Sequence, residues 1–459
     1  MITPFSIVLI IIVIFTLCKE NRIHDIFVAF LAITMAIQVC SLGGYFVKFG
    51  TVEINYVDIA MLLTAFFGFL DSKKCINKRT FILSMALLGW ALIGIFSTII
   101  FPPHTQIIPT TVSWDSYFYG RASKTTAVIS MSSVMAFIKL GLSLSILCFS
   151  GHILASDYTK VQRIIVRISK VHIVWLVVEV ISKNILKTNL LPNLRNTILG
   201  IGKSTATELT LRGSGYTVFG WTREASAVPE FLFVFIAIII LSKTLKENKY
   251  WVIMGVAIMA LSMSFSTLMF GSVLILLYAF TYQDEVGKGV GKKTIYGGMA
   301  LILLVGAGIY FVLNSPYYSS RLTGFMEDFS VISSKNNALN GTITSSKVRL
   351  YGIMDTLNVL LERPLTGFGL GTAYCNSAII MILADIGIVG FVLWISAIES
   401  VSRQRKAFLS KKNVCFCLFL IMPNILKGSS SLLYTTSIIL ILYLIDNLNA
   451  EMVRGGKTS

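Results

Sequence analysis

Runs of about 20 apolar residues recur along almost the whole chain, and each is long enough to cross about 30 Å of hydrocarbon. In lipid, only helices and closed barrels satisfy every backbone polar group internally. These runs are continuous rather than alternating, so they predict helices. Composition agrees: 55% of the 459 residues are hydrophobic and 13% are charged. A soluble domain carries about 25% charged residues, so this chain has too little polar surface to face water on all sides. About thirteen spans are expected. They fall near 4–18, 25–44, 54–70, 80–101, 131–153, 165–186, 224–242, 250–265, 267–282, 294–313, 376–396, 413–427 and 431–447. The pair 250–265 and 267–282 also reads as one bent span or a re-entrant pair, because Ser262, Ser264, Ser266 and Thr267 crowd the junction. The first segment, Ile2 to Cys18, has no basic n-region and no small-residue cleavage site, so it reads as a retained span.

The formal net charge of +17 would suggest nucleic acid on a soluble protein. Here much of it follows the positive-inside rule. Basic clusters occupy every second loop: Lys19 and Arg22; Lys73, Lys74, Lys78 and Arg79; Lys160, Arg163, Arg167 and Lys170; Lys243, Lys246 and Lys249; Lys288, Lys292 and Lys293; Arg403, Arg405, Lys406, Lys411 and Lys412. These loops are expected in the cytoplasm, with the N-terminus outside and no nucleic-acid partner. The other loops are then external, and three are long, near 102–130, 187–223 and 314–375. No repeat or low-complexity linker divides the chain, so 1–459 reads as one transmembrane domain with loop insertions. The seven cysteines are odd in number and lack metal spacing, so neither a disulfide framework nor a metal site is expected.

Three features are candidates for chemistry. The segment Arg212-Gly-Ser-Gly-Tyr-Thr-Val-Phe-Gly-Trp-Thr-Arg223-Glu224-Ala-Ser226 closes the loop at 187–223. Its arginines can converge on an anion with forked donors, and Glu224 opens a helix, where the dipole favours a carboxylate. The plainer reading is a flexible loop with an arginine at lipid headgroups. The second, Ser345-Ser346-Lys347-Val348-Arg349-Leu350-Tyr351, opens an amphipathic stretch. Val348, Tyr351, Met354, Leu357 and Leu361 recur at helical spacing, and Pro364 ends the run. An external helix lying against the membrane domain is expected, with Lys347 and Arg349 at an N-terminus suited to phosphate or, equally, to headgroups. The third is Pro364-Leu-Thr-Gly367-Phe-Gly369-Leu-Gly371, followed by Cys375-Asn376-Ser377 and by Gly387-Ile-Val-Gly390. Alternate glycines before a helix can form an anion nest, or simply a turn whose following span packs closely through its glycines. Asp385 and Lys139 fall inside spans, which makes each a functional candidate or a buried structural partner.

The pattern Arg349…Pro364-Leu-x-Gly367-x-Gly369-x-Gly371…Asn376…Gly387-x-x-Gly390 resembles the Wzy-type polysaccharide polymerase and O-antigen ligase superfamily. The segment Gly220-Trp-Thr-Arg223-Glu224-Ala-Ser226 is similar to one that closes that family's first large periplasmic loop. The resemblance implies an all-α polytopic membrane protein of the GT-C type, with about 12–14 transmembrane helices and two large external loops, 187–223 and 314–375, containing short helices. It implies a multi-pass protein of the bacterial cytoplasmic (inner) membrane. Its partners would be the lipid bilayer, an undecaprenyl-pyrophosphate-linked oligosaccharide and a chain-length regulator of the polysaccharide co-polymerase type. No metal, cofactor or nucleotide sugar would be needed. Matched residue by residue, Arg223, Arg349 and Glu224 would be catalytic. Arg212, Lys347, Tyr351, Gly369 and Asn376 would bind pyrophosphate or glycan.

One departure bears on function. The ligase branch usually carries a histidine before the residue that opens the equivalent span, and this chain has Cys375 there. None of His24, His104, His152 and His172 falls in that motif. The expectation is therefore a repeat-unit polymerase, with a ligase-like glycan transferase or a lipid-linked sugar flippase as alternatives. A flippase would favour two related halves and more intramembrane charge.

Overall fold

The computed structural model describes residues 2–49, 52–71, 76, 78–107, 125–150, 155–201, 211–212, 215–216, 218–222, 227–242, 244–261, 267, 270–278, 323, 345–372 and 377–404. The expected spans at 294–313, 413–427 and 431–447 lie outside these residues. The described chain is mostly helical. In order it contains α1 (Pro4–Lys19), α2 (Ile23–Val39), β1 (Val47–Phe49), β2 (Val52–Ile54), α3 (Tyr56–Asp71), α4 (Lys78–Ile100), β3 (Gln106–Ile107), β4 (Thr125–Thr126), α5 (Met131–Ser150), α6 (Ala155–Asn184), α7 (Leu190–Leu199), β5 (Leu211–Arg212), β6 (Gly215–Tyr216), α8 (Ala227–Leu241), α9 (Leu245–Leu261), α10 (Ser345–Glu362) and α11 (Ala378–Gln404). Residues 270–278 are also helical.

The helices sit close to the apolar runs, because a run of that length buries its backbone polar groups only by coiling. Two departures stand out. Helix α6 begins at Ala155, ten residues before the expected 165, and so takes in Lys160 and Arg163 of the basic cluster expected in a loop. The connecting segments also hold three small antiparallel hairpins, β1–β2, β3–β4 and β5–β6, which the apolar pattern did not signal. Strand pairs β1–β2 and β5–β6 are each separated by two residues, and in both glycine comes first, Gly50 and Gly213. That choice is favoured in two-residue hairpin loops.

Helices α4 and α5, together with Ile379–Val401 of α11, are long and apolar enough to cross a membrane. Helices α1, α2 and α8 are apolar but shorter. Their surfaces show the polarity expected in lipid. Helix α4 buries a stripe of Thr80, Ser84, Leu87, Ala91, Gly94 and Thr98. It exposes Phe81, Ile82, Met85, Leu92, Ile93, Phe96, Ile99 and Ile100. Small and polar side chains facing inward, with large apolar ones outward, are the reverse of a water-soluble helix and let neighbouring helices approach closely. Helix α1 is similar: it buries Ser6, Leu9 and Thr16 and exposes most of its isoleucines.

Packing runs α11–α4–α5–α3–α2–α6, with α8 against α2 and α6, α9 against α8, and α1 outside against α7 and α2. Beyond Glu230 in its first turn, helix α8 is apolar on all sides and almost wholly buried, as such a helix must be.

One end of this array gathers the hairpins, α7 and α10. There the Gly43 N–H donates to the Trp221 carbonyl (2.8 Å) and the Tyr45 N–H to the Leu199 carbonyl (3.3 Å). The opposite end gathers charge. His24 lies 2.7 Å from Asp71 and 3.0 Å from Asp157, and Lys160 reaches Glu20 (3.4 Å) and Asp25 (3.3 Å). Helices α1, α2, α3 and α6 therefore each run from one end to the other.

Candidate functional site

Two constructions occupy the hairpin end. The first holds Phe219-Gly220-Trp221-Thr222, immediately before Arg223 and Glu224. Helix α6 supplies Glu179, whose carboxylate accepts the N–H groups of Phe219 (3.1 Å) and Gly220 (2.8 Å). Lys183, one turn later on α6, places Nζ 3.0 Å from Glu179 Oε1 and lies over the Phe219 ring at 4.5 Å. Helix α7 supplies Arg195, whose Nη1 donates to the carbonyls of Gly220 (3.4 Å) and Thr222 (3.1 Å). Its Nε and Nη2 both donate to the Asn196 side-chain oxygen, at 3.0 and 2.6 Å. Glu179, Lys183 and Arg195 are all buried. Burial draws the Arg195 guanidinium below its ordinary pKa and the Glu179 carboxylate opposes that fall, so the side chain stays a cation.

His172, also on α6 and fully buried, accepts the Trp221 N–H at Nε2 (2.9 Å). An accepting Nε2 places the proton of a neutral ring on Nδ1. The imidazole stacks face to face on the Trp221 indole, with centroids 4.5 Å apart. Gly220 adopts φ +57°, and a side chain there would run into the His172 ring, so glycine both permits the backbone conformation and leaves room for the approach. Beside the turn lies an apolar cavity of about 180 Å³, lined by Phe5, Leu42, Trp175, Ile198 and Trp221 among others.

The second construction is the glycine loop at 364–371. Helix α11 is broken at Gly387 (φ 65°, ψ −177°), which strips carbonyls of their intrahelical partners. The loop replaces them. The Phe368 N–H donates to the Ala384 carbonyl (2.7 Å), the Gly369 N–H to the Asp385 carbonyl (3.1 Å), and the Ile388 N–H back to the Pro364 carbonyl (2.8 Å). Trp90 Nε1 donates to the Ile386 carbonyl (3.1 Å). The Asp385 carboxylate accepts the Gly371 N–H (3.2 Å). Lys139, the other charge within a span, pairs with Asp58 at 3.2 Å.

The sequence-derived site residues divide accordingly. Gly369 is buried and its N–H is spent on α11, so the loop serves helix closure rather than an anion nest. Arg212 lies in β5, paired with Gly215. Lys347, Arg349 and Tyr351 lie on α10. Arg223, Glu224 and Asn376 lie outside the described residues. Helix α10 forms as expected, but its apolar stripe is not its packed face. Gly352, Thr356 and Val359 are buried, while Met354, Leu357 and Leu361 are exposed. At the far end of α10, Glu362 accepts the N–H groups of His104 (2.7 Å) and Thr105 (2.9 Å). Burial opposes ionisation of Glu362, yet those hydrogen bonds hold its carboxyl below the ordinary value. Arg363 donates to Ser97 Oγ (3.2 Å) and to the Phe101 carbonyl, and so pins the end of α4.

Sequence reasoning missed Glu179, Lys183, Arg195 and His172 as parts of the site. A signal was present: Glu179 and Lys183 form an i,i+4 ion pair inside an expected span, where charge is costly and points to function. No known protein-family profile matches the chain, and no curated protein matches it.

Proposed function

We propose that the chain is a multi-pass membrane glycosyltransferase of the GT-C type. It would polymerise lipid-linked repeat units on the outer face of a bacterial cytoplasmic membrane, transferring a growing glycan from undecaprenyl pyrophosphate to a second lipid-linked repeat. The observation that carries the reading is the clamped turn at 219–222. Buried charged side chains fix the backbone that leads directly into Arg223 and Glu224, at the same end of the array as α10 with Lys347 and Arg349.

In this reaction a hydroxyl of the acceptor sugar attacks the anomeric carbon of the donor. The bond from that carbon to the pyrophosphate oxygen breaks, and charge builds on the pyrophosphate. Arg223 and Arg349, helped by Arg212 and Lys347, neutralise that charge. Glu224 takes the hydroxyl proton. The inverted polarity of α4 supports the membrane setting.

One observation favours a second reading. A helix broken in mid-span is a common transporter device, because its freed carbonyls coordinate ions. In α11 those carbonyls are taken by Phe368, Gly369 and Trp90, which favours surface chemistry over a coupling-ion site.

The test is to incubate purified protein with lipid-linked repeat units and resolve the products on a gel. A ladder formed without added acceptor supports polymerisation, and Arg223→Ala and Arg349→Ala should each leave single repeats. Transfer only to a different lipid would replace the polymerase with a ligase. No product, or long chains from both arginine variants, would refute the proposed site.

A further inference from the structure

The backbone of residues 219–222 is accounted for completely. The N–H groups of Phe219 and Gly220 go to Glu179, that of Trp221 to His172, and that of Thr222 to the Phe219 carbonyl. The carbonyls of Gly220 and Thr222 accept from Arg195, that of Trp221 from the Gly43 N–H, and that of Phe219 from Thr222. An ordinary surface turn would leave several of these groups to water. Here all but the Thr222 N–H and the Phe219 carbonyl are held from α6, α7 and the segment after α2, by residues 25 or more positions away in sequence. Using ions for this is costly. A buried carboxylate and guanidinium lose their hydration, and ion pairs are often replaceable by apolar packing without loss of stability. What ions provide that apolar packing does not is directional hold on individual N–H and C=O groups.

We propose that Glu179 and Arg195 are positioning residues, which lock the backbone of the turn at 219–222, the segment that immediately precedes Arg223 and Glu224 in the chain. This rests on the reading of Arg223 and Glu224 as the acting residues. Glu179 fixes the entry of the turn through two N–H groups. Arg195 fixes its exit through the Thr222 carbonyl, the last group before Arg223. Lys183 compensates the Glu179 charge, and His172 sets the plane of Trp221. A displacement of about 1 Å at a reacting group can cost about 100-fold in rate, so loosening this turn should reduce kcat while leaving substrate capture by the rest of the site largely intact.

The experiment uses the full-length protein in detergent or nanodiscs, with lipid-linked repeat units as substrate. The variants are Arg195→Lys, which keeps the charge but loses the fork, and the double substitution Glu179→Gln with Lys183→Met, which removes the buried ion pair together. Three readouts are taken: kcat and KM for polymer formation, amide hydrogen exchange in the 218–224 peptide, and exchange in α2 and α3 as a control for global folding. Both variants should exchange faster at 218–224 alone, with kcat down about 100-fold and KM within about threefold. Faster local exchange with wild-type kcat would overturn the proposal, as would unchanged exchange at 218–224. Full recovery of rate by Arg195→Lys would also overturn it, because a point charge would then suffice. A wild-type protein that makes no ladder overturns the reading of the site and this proposal with it. A normal wild-type ladder with unaltered variants overturns this proposal alone.

Discussion

Replacing Gly387 by alanine should unravel the closure of the glycine loop, and the size of the effect can be worked from the structure. Gly387 has φ 65° and ψ −177°, a region essentially confined to glycine, where another residue costs about 1–3 kcal/mol. Its new methyl group would meet the Leu365 carbonyl and the Thr366 nitrogen. Backbone cannot swing aside as a flexible side chain does, so the loop must retreat. That retreat strains the hydrogen bonds from Phe368 and Gly369 into α11 and from Ile388 to Pro364. At about 0.5–1.5 kcal/mol each, losing two brings the total to about 2–6 kcal/mol. For a chain of this length the unfolding entropy converts about 1 kcal/mol into about 1 °C, so Tm should fall by roughly 2–6 °C. The assay is thermal unfolding of the purified full-length protein in detergent. Gly89→Ala is the control: this α4 glycine has nothing within 4 Å of an added Cβ, and alanine should be neutral or stabilising there. If Gly387→Ala melts at or above the wild type while Gly89→Ala behaves normally, the account of the loop as a cap on a broken helix is wrong.

Further outcomes follow from the charged groups. His24 at the opposite end bridges Asp71 and Asp157 through both ring nitrogens, an arrangement that needs the imidazolium. Burial disfavours that cation, but the two carboxylates, Asp71 first, leave its pKa raised from 6.5. A raised folded-state pKa contributes stability that is present below about 6.5 and fades as pH rises through the raised value; Tm of wild type should fall across that window and that of His24→Asn should be flatter, with equal slopes refuting the bridge. Asp58→Asn or Lys139→Met alone strands the other charge of a largely buried pair and should lower stability by about 3–5 kcal/mol. The double substitution should recover most of that in the same melts, and strictly additive losses would argue against the pairing. Glu362→Gln removes the carboxylate that ties α10 to the segment before β3; amide exchange at His104 and Thr105 should rise, and unchanged protection would show that the tie is not what orders this segment.

The helices were legible in the sequence because their cause is local. A long apolar run has one way to satisfy its backbone in lipid, and Pro364 after the amphipathic repeat predicts the end of α10 near Glu362. Roles of individual charges were not legible. In the sequence Arg212, Arg195 and Arg363 look alike, as basic residues outside the expected spans. The fold gives Arg195 to the carbonyls of Gly220 and Thr222, and Arg363 to Ser97 and Phe101, partners 25 to 266 positions distant. The glycines at 367–371 look like a candidate anion nest, but the Gly369 N–H goes to the Asp385 carbonyl beside the break at Gly387, the Gly371 N–H to the Asp385 carboxylate and the Gly367 N–H to the Arg363 carbonyl. Sequence alone determined a membrane scaffold, because burial of apolar surface and closure of helical hydrogen bonds depend on neighbours in the chain. Tertiary structure alone decided that Glu179 and Arg195 hold the turn before Arg223, because a hydrogen bond between distant segments exists only once packing has brought them within about 3 Å.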